Sequence, residues 1–271
     1  MGAMRKILIT FGGAAYDNTI GQTVDRGPKL GADEVYVYDD YWLVHEDRDF
    51  RQMNAWLWDF KGTHPNWPQG RGFGGYTFKM RILFHALERM KDGDVVMYVD
   101  GDSCPTDQFG VLYDICKAEG GIMCFGACGH LHHWWTTRDC QLVMGVEGIE
   151  GTRESPVHAG VARFVLIEKG KWLPFQFLAE WLAYSVNKYC NTFEHGRLRP
   201  DCEDFHEART EQAVMTNLML KYNIPMHREL DQHNHFDVHP NDRYPVCFQQ
   251  THTGGPFRDI GNGSRYRKVM T

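Results

Sequence analysis

Residues 94–105, with the sequence DVVMYVDGDSCP, carry the clearest structural pattern in the chain. Its apolar segment, residues 95–99, is continuous and bounded by polar residues, which is typical of a central strand buried on both faces of a sheet. Such a strand delivers Asp100, Gly101 and Asp102 at its carboxyl end. Because ligands of open α/β sheets bind beyond the carboxyl ends of the strands, we expect the functional site there.

The residues before this strand predict a βαβ unit. Residues 5–11 (RKILITF) form an apolar run that ends at Gly12-Gly13, as a buried parallel strand ends before its loop. Residues 14–30 predict a loop and a helix, and residues 34–38 (EVYVY) predict a second strand. The chain is therefore predicted to be an α/β protein with a mostly parallel central sheet flanked by helices, in a single Rossmann-like domain over residues 4–271.

The remaining elements are predicted from hydrophobic periodicity and from Gly and Pro breaks. Helices are expected over residues 76–90, 107–119, 172–189 and 208–222, strands over residues 121–125 and 161–167, and a loop over residues 60–75. From His233 onward the chain is polar and rich in Gly and Pro. We expect this C-terminal part to wrap over the active face.

Composition disfavours several classes of protein. The 271 residues carry a formal charge of −6, which gives no overall attraction to nucleic acid or to an anionic membrane. No run of about 18 apolar residues occurs, so we expect no transmembrane segment and a soluble, cytoplasmic protein. The eight Cys residues lack the spacing of a secreted disulfide framework. Cys124 and Cys128 lie near three His residues, but this spacing matches no tight zinc pattern.

Asp100 and Asp102 indicate a metal site. Two carboxylates at a strand end are hard oxygen ligands, which suit Mg²⁺ or Mn²⁺. Burying two anions side by side is costly unless a cation pairs with them. A divalent cation held there would in turn neutralise a bound diphosphate. The alternative is a solvated Asp-Gly-Asp turn without a ligand.

The segment YVDGDSC resembles the Asp-x-Asp segment of GT-A glycosyltransferases, and the preceding helix, YTFKMRILFHAL, carries basic residues as in that superfamily. Over residues 5–257 the chain resembles a group of glycosyltransferase-like nucleotide-diphospho-sugar transferases of bacteria, algae and viruses. The resemblance implies a single GT-A domain. Its residues 4–125 would bind the nucleotide sugar, and residues 126–271 would bind the acceptor and end in a metal-ligand tail.

Three further segments resemble this group in order, and a fourth resembles related families. HLHHWWTTRDC (130–140) resembles its block of a His, an aromatic residue and Thr-x-Arg-Asp, and SPVHAGVARFVLI (155–167) resembles its Ala-Gly turn before a strand. FHEARTEQAVMTNLMLKYNI (205–224) resembles its acidic helix start, although Glu211 stands where the group has Asp and Glu207 where it has Arg. THTGGP (251–256) resembles the His-x-Gly element that completes the metal site in glycogenin- and galactosyltransferase-like families.

The resemblance implies roles for particular residues. The metal, Mn²⁺ or Mg²⁺, would be held by Asp100, Asp102 and His252, with His239 as the alternative third ligand. The donor site would include Lys79, Arg81, Thr10 and Gly101, with Lys79 or Arg81 contacting a phosphate. The catalytic candidates are Glu211, Gln212 and Asp139, and the acceptor candidates are Trp134, Trp135 and His158. The plainer alternatives are a solvated helix face for the two cations, a surface acid for Glu211, an ion pair with Arg138 for Asp139 and core packing for the Trp pair.

The predicted function is transfer of a sugar from a nucleotide-diphosphate sugar to a hydroxyl group of a glycan or glycolipid. A UDP-hexose donor is favoured because uridine prevails among metal-dependent members of the fold. A nucleotidyltransferase is the first alternative, but FGGAA (11–15) lacks the basic residue of its phosphate loop. The others are a non-catalytic nucleotide-sugar-binding protein and a transferase acting on DNA bases, which the acidic charge disfavours. The Glu211-Gln212 and His252 resemblances favour a retaining reaction without deciding it.

Overall fold

The computed structural model describes residues 3–13, 16–58, 73–149, 158–231, 243–251 and 267–270. The strands are β1 (Lys6–Phe11), β2 (Glu34–Tyr38), β3 (Val95–Asp100), β4 (Ser103–Pro105), β5 (Ile122–Leu131), β6 (His158–Glu168), β7 (Met226–Arg228), β8 (Phe248–Gln250) and β9 (Arg267–Met270). The helices are α1 (Asp17–Leu30), α2 (Asp40–His45), α3 (Arg48–Met53), α4 (Phe78–Glu88), α5 (Val111–Ala118), α6 (Arg138–Met144), α7 (Trp172–Ser185) and α8 (Thr210–Lys221). None of the helices in these described ranges has the length and hydrophobicity of a membrane-spanning segment.

Seven strands form the main sheet, in the order β7-β5-β6-β3-β1-β2-β9. Strand β1 is parallel to both β2 and β3, whereas β6 is antiparallel to β3 and to β5. Strand β7 is parallel to β5, and β9 is antiparallel to β2. Five of the seven strands therefore run in one direction, and the predicted mostly parallel α/β sheet flanked by helices is confirmed.

Strand β3 lies between β1 and β6 and is buried on both faces. Its side chains alternate between two hydrophobic clusters, with Val96 and Tyr98 in one and Val95, Met97 and Val99 in the other. Helices α4, α7 and α8 contribute to the first cluster, and α1 and α5 to the second. This double burial explains why the strand is continuously hydrophobic and why its first charged side chain, Asp100, comes where the strand ends.

Tertiary pairing changes several predicted boundaries. The strand predicted over residues 161–167 extends over the whole of β6, and the one predicted over residues 121–125 continues to Leu131 in β5. The helix predicted over residues 172–189 ends at Ser185. Helices α2, α3 and α6 were not predicted, because six or seven residues are too few to show a helical period.

The described C-terminal residues divide between two places. Strand β8 pairs with β4 in a two-stranded sheet beside Asp102, as a chain that covers the active face would. Strand β9 instead pairs with β2 at the edge of the main sheet, so the prediction that the whole segment covers the active face is wrong. Strand β9 has the sequence RKVM, and its position depends on the open edge of β2 rather than on any pattern of its own.

Candidate active site

Asp100 and Asp102 lie where β3 reaches the carboxyl edge of the sheet. Asp100 is the last residue of β3, and Asp102 lies in the turn before β4. Gly101 is needed between them, because an added Cβ would lie 2.3 Å from the carbonyl oxygen of Phe11 in the neighbouring strand β1. The glycine therefore allows the ends of β1 and β3 to approach closely. This structural role does not depend on any contact with a nucleotide-sugar donor.

Strand β8 fixes the orientation of Asp102. The backbone carbonyl oxygen of Asp102 accepts hydrogen bonds from the backbone N–H of Thr251 at 2.8 Å and from its hydroxyl at 3.1 Å. The Asp102 carboxylate accepts from Nε2 of Gln250 at 2.7 Å and from the hydroxyl of Ser103 at 3.1 Å. Thr251 is the chain neighbour of His252. His252 and the alternative ligand His239 both lie outside the described residues.

Lys79 is buried between two carboxylates. Its ammonium nitrogen lies 3.1 Å from Oδ1 of Asp100 and 3.0 Å from Oε1 of Glu211, and it donates to the carbonyl oxygen of Ala162 at 3.1 Å. An ammonium group has three N–H donors, so these three acceptors use all of them. Burial alone would lower the pKa of Lys79, but the two carboxylates outweigh burial and hold it above its ordinary value. Lys79 therefore has no donor left for a phosphate.

Glu211 is held in the first turn of α8. Its Oε2 atom accepts from the hydroxyl of Thr210 at 2.6 Å, and its backbone oxygen accepts from the indole N–H of Trp181 at 2.8 Å. Thr210 has a φ of 46°, in the left-handed region that a β-branched residue rarely adopts. This strained turn places Glu211 against Lys79 and so next to Asp100. Gln212, the following residue, is half-buried.

A second ionic cluster lies at the same edge. Arg163 of β6 pairs with Asp231 and, at 3.4 Å, with Oε1 of Glu229; both acids follow β7. Burial would lower the pKa of Arg163, but Asp231, then Asp102 and Asp100, outweigh it and raise this pKa. Burial and the neighbouring Asp231 raise the pKa of Glu229 to about 7, against the opposing charge of Arg163.

Sequence reasoning missed this second cluster, although a signal for it exists. Arg163 is a charged residue inside the apolar strand sequence VARFVLI. A charge in such a position needs buried partners, because an isolated ion in a protein interior is costly. The sequence does not show which residues supply the partners, since Asp231 lies 68 residues further along the chain.

The described part of this edge has an excess of negative groups. It has five carboxyl groups and two cationic groups, namely Asp100, Asp102, Glu211, Glu229 and Asp231 against Lys79 and Arg163. A divalent cation would compensate this excess, and carboxylate oxygens are ligands that Mg²⁺ and Mn²⁺ accept. Among the described residues no three His, Cys, Asp or Glu side chains converge to hold a metal. A metal at Asp100 and Asp102 would need further ligands from beyond those residues, from substrate or from water.

Asp139 has a structural partner set. Its carboxylate accepts from the backbone N–H groups of Arg197 at 2.5 Å, Leu198 at 2.9 Å and Arg199 at 3.0 Å. Asp139 is buried in the first turn of α6, where a negative charge is also favoured by the helix dipole. The carboxylate thus fixes the segment between α7 and α8, and both of its oxygens are engaged.

Replacing Asp139 with Ala is expected to lower the free energy of unfolding by about 2 kcal/mol, because three backbone donors lose a charged acceptor. The loosened segment should also be cleaved faster by trypsin after Arg197. Urea unfolding and limited proteolysis of the variant measure both effects. Asp114→Ala, which removes an exposed carboxylate paired with Lys6, is the control and should change neither. Wild-type stability and cleavage in Asp139→Ala would contradict this structural role.

In the described part of the chain, the side chains of Arg81 and Thr10 are not bonded to Asp100 or Asp102. The Arg81 guanidinium pairs with Asp47, its Nε donating at 2.8 Å, and lies 4.9 Å from the ring centre of Phe50. Lys79 and Arg81 differ because residues two apart on a helix do not share a face. Thr10 is buried in β1, and its hydroxyl has no hydrogen-bond partner among the described residues.

Trp134 and Trp135 form an aromatic cluster with residues that precede α8. The indole of Trp134 stacks on the imidazole of His206, with ring centres 5.1 Å apart, and the guanidinium carbon of Arg209 lies 4.2 Å from the ring centre of Trp135. The backbone N–H groups of His206 and Arg209 donate to the carbonyl oxygens of Trp134 and Trp135, at 2.9 and 3.0 Å. The Trp pair is therefore fixed against the chain that leads into Glu211.

His158 lies near the same cluster. It begins β6 and is half-buried. His158 pairs with Leu131 at the end of β5, and Leu131 follows His130 in the chain. Burial lowers the pKa of His130, and the charges of Arg209, His158 and His206 lower it further. The ring of His130 lies 5.3 Å from that of Trp135. The structure therefore brings the three predicted acceptor residues into one region.

Comparisons with known proteins find similarity in three-dimensional structure but not in sequence family. No protein-family model and no curated protein matches the chain. Similar solved structures include the bifunctional glycosyltransferase WbbM (12% identity, TM-score 0.46, covering 82% of this chain and 38% of that one) and mouse xyloside xylosyltransferase 1 (10%, 0.47, 91% and 97%). Another is a putative glucose-1-phosphate thymidylyltransferase from Bacillus anthracis (12%, 0.37, 83% and 86%). At these identities and TM-scores none of the likenesses assigns a family or an activity to this chain.

Proposed function

We propose that this protein is a metal-dependent glycosyltransferase. It would move a sugar from a nucleotide-diphosphate sugar, with a UDP-hexose favoured, to a hydroxyl group of a glycan or glycolipid. The observation that carries the proposal is the pair Asp100 and Asp102 at the carboxyl end of the central strand, on an edge with excess carboxyl groups. Without a cation this edge would repel a diphosphate, whereas a divalent cation would attract one.

The site residues would hold and orient such a cation. A bound divalent metal supplies Lewis-acid stabilisation of the charge that develops on a departing nucleoside diphosphate. Asp100 and Asp102 would be two ligands, and Gln250 and Ser103 orient the Asp102 carboxylate. His252 is the proposed third ligand, supported by the hydrogen bonds that join its chain neighbour Thr251 to Asp102.

The other site residues would position the reacting groups. Lys79 holds Asp100 and Glu211 together and is a positioning residue rather than a phosphate contact. Glu211 and Gln212 are proposed to line the sugar side of the site. Because both Glu211 oxygens are already engaged, the proposed role of Glu211 is electrostatic. No part in proton transfer is proposed for Asp139, whose carboxylate is occupied by backbone donors.

The acceptor would bind at the aromatic cluster. Indole rings present flat apolar faces on which the faces of pyranose rings stack, and Trp134 and Trp135 are only partly buried. His206 borders both rings, and its imidazole would offer a hydrogen-bonding group to sugar hydroxyls. His158, which pairs with Leu131 shortly before the Trp pair, is proposed to offer a second one. Two residues that contact the Trp pair, His206 and Arg209, lie just before α8. An acceptor bound to the cluster would therefore lie on the side of the site where α8 begins.

The test is calorimetric titration of UDP, GDP and their sugar conjugates with and without Mn²⁺. The wild type is expected to bind one nucleotide only when Mn²⁺ is present. Asp102→Ala should weaken this binding by about a hundredfold or more, because a metal ligand is lost. The control is Asp107→Ala, an exposed carboxylate five residues further along, which should bind as the wild type does.

Three outcomes would contradict the proposal. If the wild type binds none of these nucleotides with Mn²⁺, it has no donor site of the proposed kind. If a nucleotide binds but its sugar conjugate is never turned over with any glycan or glycolipid acceptor, the non-catalytic binding protein is favoured instead. Consumption of a nucleoside triphosphate with a sugar phosphate would favour the nucleotidyltransferase.

A further inference from the structure

Strand β6 has a bulge at the active edge of the sheet, and the bulge contains Ala162 and Arg163. On β5, the adjacent residues Cys124 and Phe125 pair with Val165 and Val161, so residues 162–164 of β6 have no partner on that side. Bulges of this kind bend a strand and redirect side chains, and they occur often beside active sites. Here the bulge contains Ala162, whose carbonyl oxygen accepts from Lys79, and Arg163.

Arg163 is anchored by only part of its guanidinium. Its contacts to Glu229 and to Asp231 are both made by Nη1. A guanidinium has five N–H donors in a planar fork, and among the described residues Nε and Nη2 of Arg163 bond to no acceptor. The side chain keeps 17% of its surface exposed, whereas that of Asp231 is fully buried. The fork is therefore fixed on one side and open on the other.

Lys79 and Arg81, the two basic residues of α4 that were predicted to contact a phosphate, present no such pair of N–H groups. The ammonium hydrogens of Lys79 are used by Asp100, Glu211 and Ala162. Arg81 pairs through Nε and Nη2 with Asp47. Of these three cations, Arg163 alone combines a fixed guanidinium with N–H groups that bond to no acceptor among the described residues. It also lies at the end of β3, because the next residue, Phe164, pairs with Val99, which precedes Asp100.

We propose that Arg163 is the phosphate-contacting residue of the donor site, binding a phosphate oxygen of the nucleoside diphosphate through Nε and Nη2 while Asp231 and Glu229 hold Nη1. This inference rests on the proposed function. A guanidinium fork matches two phosphate oxygens, and such charge-assisted pairs are stronger than neutral hydrogen bonds. Because Arg163 also repels a divalent cation at Asp100 and Asp102, its removal must affect the two ligands in opposite directions.

The test compares Arg163→Gln with the wild type for two ligands separately. Binding of Mn²⁺ alone, measured by electron paramagnetic resonance of the free ion, should tighten about two- to tenfold when the positive charge is removed. Binding of the nucleoside diphosphate at saturating Mn²⁺, measured by calorimetry, should weaken at least about tenfold. Inorganic pyrophosphate should follow the nucleotide, because the contact is to phosphate. Arg89→Gln, at an exposed position at the end of the helix that carries Lys79, is the control and should change neither affinity.

Arg163→Lys guards against a folding defect, since it keeps the buried positive charge for Asp231. It should retain wild-type Mn²⁺ affinity yet bind the diphosphate more weakly, because a lysine lacks the planar fork. Wild-type diphosphate affinity in Arg163→Gln would overturn this inference and leave the proposed function intact. A parallel loss of Mn²⁺ and diphosphate binding would also overturn it, because that is the result of a purely structural role. Absence of Mn²⁺-dependent binding in the wild type would overturn both proposals.

Discussion

Replacing Lys79 with Met is expected to lower the free energy of unfolding by about 3–5 kcal/mol, the usual cost of leaving buried charges without their partner. In the metal-free protein the Lys79 ammonium is the direct ionic partner of both Asp100 and Glu211, at 3.1 and 3.0 Å. Methionine replaces the apolar part of the lysine side chain but not its ammonium group, so both carboxylates lose this cation and the carbonyl oxygen of Ala162 loses its donor. Urea unfolding in the presence of a chelator, followed by circular dichroism, gives the difference.

Two further variants separate the buried charge from the helix that carries it. Arg89→Met removes an exposed cation at the end of α4 and should change the free energy of unfolding by less than about 0.5 kcal/mol. Combining Lys79→Met with Glu211→Gln removes the most deeply buried of the unpaired carboxylates, so the double variant should be more stable than Lys79→Met alone. A loss below about 1 kcal/mol in Lys79→Met would show that its ammonium is not confined between the two acids.

The parts of the fold that could be predicted are those with a local pattern. Residues 95–99 indicate a doubly buried strand because every side chain is apolar, and the helices with long apolar stripes were found within a few residues of their ends. Asp100 and Asp102 belong to the same class, since their place follows from the strand that precedes them. A local pattern needs no partner to be visible.

The parts that could not be predicted depend on contacts distant in sequence. The antiparallel direction of β6 and its bulge follow from pairing with β3 and β5, and the sequence VARFVLI fits either direction. The partners of Lys79 come from β3, β6 and α8, so its assignment as a phosphate contact could not be weighed against a buried ion pair. Asp139 beside Arg138 suggests an ion pair, whereas its real partners are backbone N–H groups some 60 residues away.

Replacing Glu229 with Gln is expected to stabilise the metal-free protein at pH 8 and to leave its stability at pH 5 nearly unchanged. Burial and the adjacent Asp231 raise the pKa of Glu229 from 4.5 to about 7 in the folded state. Between these two values the folded protein holds a proton that the unfolded chain has lost, so stability falls as the pH rises through this window. Above pH 7 the full penalty applies, about 3 kcal/mol, because each tenfold change in proton affinity corresponds to roughly 1.4 kcal/mol.

Glutamine has the shape of the protonated acid and carries no charge at any pH, so the variant should lose this part of the pH dependence. Chemical unfolding of both proteins at intervals between pH 5 and pH 8, with a chelator present, measures the two profiles. Glu88→Gln, an exposed position, is the control and should give the wild-type profile. Parallel profiles for wild type and Glu229→Gln would show that Glu229 does not carry the penalty.

The outcome also shows how far the positive charge of Arg163 is neutralised by its two acidic partners. If Glu229 holds a proton through much of the neutral range, Asp231 is the main anion that faces the guanidinium, and the charge of Arg163 is offset once rather than twice. A guanidinium that is fixed by one carboxylate keeps more of its attraction for a phosphate than one neutralised by two. The raised pKa of Glu229 would then have a use, since it costs stability but preserves a positive charge beside Asp100 and Asp102.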